Sequence, residues 1–319
     1  MGCGASTQVK AVSFDEIGLF GAGTANSDDF MRYEQLLRDD KVTWLDLSCF
    51  NARASELEQQ VSYTQEIGHT KVRLNFTILA QVLPNAQRLT QLFLNQNRIS
   101  GASSEGFGLL TALRRTRLHE LHIARNPLRD EGLRILFDQD EGFFAQLRVL
   151  DLSSTDITDE ALDILVTAAS SSRSDPSPGV PQLSRLSLAG NLGLTARSLG
   201  KLEALITACP NLEWISFASC ANINTQAASP DAGGLSPERL EESIARLEAA
   251  LSTHSKLQSL VLFGTSLGRD IQARLMRAIA GNPSSVAARE AAEAEAAAMA
   301  ASAQAQEWTP TDDESEVED

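Results

Sequence analysis

The sequence predicts an α/β solenoid of stacked units, each a short strand followed by a helix. Three observations carry that expectation. Leucine supplies 43 of 319 residues while aromatics supply 5%, which points to a core of many small, like units. One apolar pattern, LxxLxLxxNxL, recurs six times. Between recurrences the chain carries apolar stripes at helical spacing, each preceded by polar capping residues.

The units follow in order. The first clear one is Leu89-Leu92-Leu94-Asn97-Ile99, followed by Leu118-Leu121-Ile123-Asn126-Leu128 and Leu147-Leu150-Leu152-Thr155-Ile157. Then come Leu183-Leu186-Leu188-Asn191-Leu194, Leu212-Ile215-Phe217-Cys220-Ile223 and Leu257-Leu260-Leu262-Thr265-Leu267. First leucines are spaced by 29, 29, 36, 29 and 45 residues. The long intervals equal 29 plus 7 and 29 plus 16, as loops inserted into a constant unit would give. In each unit the LxL alternation sends two leucines to one face of a strand and variable residues to the other. The Asn that follows is suited to bond neighbouring backbone where the chain turns, and Thr or Cys would bond it more weakly. Helical halves are expected after Leu128 and Ile157, and around the stripes Leu199-Leu202-Leu205-Ile206 and Leu240-Ile244-Leu247-Leu251. Each unit alone leaves apolar surface bare, so stacking completes the core.

The ends differ. Residues 1–27 read as a flexible tether, and the Gly-rich GLFGAGT within it lacks the lysine of a phosphate-binding loop. Residues 28–41, with Phe30, Tyr33, Leu36 and Leu37, read as an amphipathic helix capping the open end. The repeat body is expected over 42–282, opening with Val42, Leu45 and Leu47, with a shortened repeat over Lys71–Pro84. Insertions rich in Ser and Pro are expected near 170–181 and 224–237. Residues 283–308 are dominated by Ala and predict a solvated helix; 309–319 predict an acidic disordered tail.

At these motifs the chain resembles the leucine-rich repeat family, in its long, ribonuclease-inhibitor-like subclass. The resemblance implies a curved horseshoe whose concave strand face binds a protein partner. The variable strand positions are then the candidates. Trp44, Gln91, Phe93, Glu120, His122, Asp151, Arg185 and Trp214 stand out, because aromatic residues and Arg anchor interfaces. The same subclass resembles the Ran GTPase-activating family, which implies as an alternative a regulator of a small GTPase. Arg114, Arg115 and Arg117 are the arginines such a role would draw on, and nothing in the sequence singles one out.

Composition narrows the chemistry. A formal charge of −15 disfavours nucleic acid, which needs a basic face. Residues 283–319 hold ten acidic groups and one basic, a net of −9, leaving −6 for the other 282 residues. Four scattered cysteines form neither a disulfide framework nor a zinc site. His119 and His122 are three apart on a strand rather than four apart on a helix, so they are not a zinc-protease pair. No catalytic signature is found, and the expectation is a protein without enzymatic activity, cofactor, metal or small-molecule substrate.

The opening Met1-Gly2-Cys3-Gly4-Ala5-Ser6 fits the N-myristoylation signal. One myristoyl chain anchors only marginally, and Lys10 is the sole basic residue before Arg32, so no polybasic patch supplements it. Palmitoylation at Cys3 would supply the second anchor. The expected address is the cytoplasmic face of a plasma or ciliary/flagellar membrane.

Overall fold

The computed structural model describes residues 37–40, 43–48, 76–137, 142–171, 180–224 and 235–282. Gly2, Cys3, the tether, the Ala-rich segment and the acidic tail lie outside them, as do the middles of both predicted insertions and residues 28–36 of the predicted cap. The described end of that cap brings Leu37 into the core, and the Asp40 carboxylate accepts the Arg88 backbone N–H at 2.7 Å.

Seven strands of three residues each are present: β1 Trp44–Asp46, β2 Gln91–Phe93, β3 Glu120–His122, β4 Val149–Asp151, β5 Arg185–Ser187, β6 Trp214–Ser216 and β7 Ser259–Val261. They form one parallel sheet in chain order. Among the described residues eight helices alternate with them: α1 Phe76–Val82, α2 Ser104–Leu113, α3 Arg129–Phe137, α4 Phe143–Gln146, α5 Glu160–Ser171, α6 Arg197–Ala208, α7 Pro237–Thr253 and α8 Arg269–Ala280. Each strand's middle residue is an aligned, buried Leu or Ile, from Leu45 through Leu92, Leu121, Leu150, Leu186 and Ile215 to Leu260. Strands repeat at about 4.8 Å and helices at about 8–10 Å, so the helical side needs more room and the sheet takes the inside of the curve.

The spacing of 29 is held by a polar ladder at the Asn position. Buried Asn126 donates from Nδ2 back to the previous repeat at Leu94 O (2.9 Å) and to its own repeat at Ile123 O (2.8 Å). Its Oδ1 accepts the backbone N–H groups of Asn97 and Ile99. Asn191 repeats the pattern on Leu152 O, Leu188 O and the N–H of Thr155. Thr155 reaches only its own Leu152 O and the Asn191 side chain, and Cys220 reaches Leu188 O at 3.3 Å through sulfur. The residue before each of these is left-handed: Gln96, Arg125, Ser154, Gly190, Ser219 and Gly264. That turn lets each of the first five donate its N–H to the next repeat.

One expectation needs correction. Lys71–Pro84 is not a shortened repeat. Phe76, Leu79, Val82 and Leu83 are buried at helical spacing on α1 and the following 3-10 turn, and β1 pairs directly with β2. The segment's described part, 76–84, is thus the helical half of the first unit. α5 runs to Ser171, at the start of the first predicted insertion near 170–181. At the end of the second, near 224–237, Pro237 begins α7 and Ser236 caps it, accepting the Arg239 N–H.

Candidate interaction face on the parallel sheet

Alternation fixes which side chains face away from the helices. The leucines turn in, so the residues flanking them turn out to the concave side. The identical register of neighbouring pairs then stacks these outward residues into three columns. The first is Trp44, Gln91, Glu120, Val149, Arg185, Trp214 and Ser259. The second is Asp46, Phe93, His122, Asp151, Ser187, Ser216 and Val261. A third follows one step beyond the strands, through Asn95, Ala124, Ser153, Ala189, Ala218 and Phe263. All eight predicted interface residues therefore lie on one face, and seven of them, all but Trp44, form contacts across strands.

The N-terminal half is polar and acidic. Gln91 Nε2 donates to Glu120 Oε1 at 2.9 Å. The His122 imidazole lies on the Phe93 ring, 4.4 Å between centroids and 10° between planes. Its Nε2 is 3.9 Å from Glu120 Oε2 and its Nδ1 is 3.8 Å from Asp151 Oδ2. Asp151 Oδ1 accepts from the Ser153 N–H and hydroxyl, and Ser153 Oγ stands 2.7 Å from Ser187 Oγ. Burial pushes the Asp151 carboxyl up, but His122 and the two bonds from Ser153 outweigh it and hold the pKa below the ordinary carboxylate value.

The C-terminal half is cationic and apolar. The Arg185 guanidinium lies 5.1 Å from the Trp214 ring centroid, a cation–π arrangement. Beyond it the outward side chains shrink to Ser187, Ser216, Ala189 and Ala218. At the β7 end of the sheet Phe263 is 82% exposed.

Expectation and geometry differ in two respects. The sequence suggested exposed aromatics at Trp44, Phe93 and Trp214, yet all three are half-buried, Phe93 beneath His122 and Trp214 beneath Arg185. Phe263, the exposed aromatic the face does carry, was missed because it follows the last LxL core position. The aligned small residues at the same position in earlier repeats were the available signal. Elsewhere, Arg114, Arg115 and Arg117 sit on the turn between α2 and β3, where Arg114 ends the helix. Cys220 is buried in the ladder, and burial raises its thiol pKa, as suits a structural residue. Among the described residues no three His, Cys, Asp or Glu side chains are grouped to hold a metal.

The Leucine Rich repeat family model matches residues 116–136 and 146–163, which run through β3 into α3 and through β4 into α5. The chain folds as a leucine-rich-repeat solenoid. The two matched stretches hold Asn126 and Thr155, and the repeats of β2, β5, β6 and β7 share their strand register and left-handed turn. No curated protein matches the chain. Among the described residues no helix of this solenoid is long and apolar enough to cross a membrane.

Proposed function

We propose that the solenoid is a protein-interaction scaffold whose concave strand face binds a protein partner at the cytoplasmic side of a plasma or ciliary/flagellar membrane. The observation that carries the partner reading is the outward face of the sheet. Each strand's outward residues are open to solvent at least in part, apart from the small Ser216. They form one continuous surface of aromatic, charged and small side chains. Such a mixture suits recognition because large rigid groups bury area at little entropic cost and charges select the partner.

The membrane address rests on the lipidation signal. A chain initiated at Met1 offers Gly2 to a myristoyl chain and Cys3 to a palmitoyl chain. With a net charge of −15 the protein is repelled by an anionic leaflet, so two acyl chains are the required anchor.

Two arms test the reading separately. Gly2→Ala and, independently, Cys3→Ser are expected to move the tagged full-length protein from membrane to cytosolic fractions; unchanged fractionation overturns the anchor. Proximity labelling is expected to mark a set of neighbours that Trp214→Ala with Glu120→Arg removes. If that set survives, the concave face is not the binding face.

A further inference from the structure

We infer that the concave face takes a protein segment that sets a Lys or Arg side chain against Glu120 and Asp151 and an apolar side chain over the small residues between Trp214 and Phe263. This rests on the partner reading above and specifies the partner's chemistry.

Charge supplies the first half. Glu120 and Asp151 occupy adjacent strands on the same face, with His122 between them at 3.9 and 3.8 Å. Gln91 uses one Glu120 oxygen and Ser153 one Asp151 oxygen. A carboxylate has about four acceptor sites, so both groups retain capacity for a donor arriving from above. Phe93 and His122, stacked beside them, give the stem of a Lys or Arg an apolar, planar surface.

Shape supplies the second half. Ser187, Ala189, Ser216 and Ala218 leave the sheet almost bare between two large groups, Trp214 under Arg185 and the exposed Phe263. These small residues are bordered by Trp214 on one side and by Val261 on β7 and Phe263 just after it on the other. The gap between them fits an apolar side chain of the partner, and filling it would take Phe263 out of water. Arg185 fixes the direction, since its guanidinium repels a basic residue from this end and a carboxylate suits it. The two subsites are about three strand spacings apart, roughly 14 Å.

The test is selection of randomised 16-residue displayed peptides on the full-length protein, repeated on Glu120→Gln/Asp151→Asn and on Ala218→Trp, each variant checked for a retained fold by circular dichroism. The expected wild-type winners pair Lys or Arg with an aromatic or Leu. Synthesised winners should bind Glu120→Gln/Asp151→Asn at least tenfold more weakly, and Ala218→Trp should lose those that depend on the apolar residue. Winners that need Trp214 or Phe263 but lack a basic residue, or bind the carboxylate variant equally well, overturn the inference and leave the concave-face reading standing. No winners, or winners indifferent to every concave substitution, overturn both.

Discussion

The imidazole of His122 lies flat on the phenyl ring of Phe93, their centroids 4.4 Å apart, although 29 residues separate them in the chain. The stack aims Nδ1 toward Asp151, one strand further on. Together with Ser153 this holds the Asp151 carboxyl below its usual range against the opposing effect of burial. The sign follows from linkage. A lowered folded-state pKa contributes stability that is present above the unfolded value of about 3.9 and lost as pH falls through the folded value. Substituting His122→Gln should move the Asp151 titration upward in carbon-detected NMR. Asp151→Asn should flatten that part of the acid limb in pH-dependent melts. An unmoved Asp151 titration in His122→Gln would leave Ser153 as the group that holds it.

His254 follows the last turn of α7, buried, and its ring bonds define its tautomer. Nδ1 accepts the N–H groups of Lys256 and Leu257, so the proton resides on Nε2, which donates to Cys209 O at 3.1 Å. Burial lowers its pKa, opposed by the Cys209 carbonyl and assisted by Lys256. A proton entering Nδ1 would break both accepted bonds. The unfolded state therefore binds this proton more readily. Stability from the neutral ring is complete above the ordinary value of about 6.5 and declines as pH falls below it toward the folded value. Chemical denaturation between pH 8 and 5 should show this decline, and His254→Gln should reduce it while costing about 1–2 kcal/mol at neutral pH.

The Asn ladder makes opposite predictions at two neighbouring rungs. Asn126→Ala leaves the carbonyls of Leu94 and Ile123 and the N–H groups of Asn97 and Ile99 without this partner in a buried setting. A cost of about 2–4 kcal/mol is expected, because several backbone groups lose a bond at once. Thr155→Asn restores the amide that reaches the preceding repeat and should stabilise by about 1 kcal/mol. Urea melts of the two variants would show both signs, and a destabilised Thr155→Asn would count against the ladder as the source of register.

Two glycines near α2 separate close approach from propensity. A Cβ on Gly101 would stand 2.4 Å from Gly132 N and 2.6 Å from its Cα, contacts that only backbone displacement relieves. Gly101→Ala should cost about 1–3 kcal/mol. Gly108, inside α2, has nothing within 4 Å of such an atom. Gly108→Ala should gain about 0.5–1 kcal/mol from helix propensity. Thermal melts of the pair check both.

The repeat, its strands, its Asn positions and the residues of the interaction face were legible because each is a local fact. LxL alternation says which side a residue takes, and a spacing of 29 says which residues will be neighbours. What lay beyond the sequence was lateral. Whether Phe93 is open or covered depends on His122, and Trp214 on Arg185, pairs set side by side only by parallel register. The first unit was misread at Lys71–Pro84 because an apolar stretch without a neighbour reads as strand or helix alike, and the pairing of β1 with β2 decided it. Periodicity therefore determined the scaffold and the face. Only the tertiary structure decided how that face divides into an acidic half, a stretch of small residues and an exposed Phe263, since such contrasts arise between side chains that only stacked repeats bring within reach.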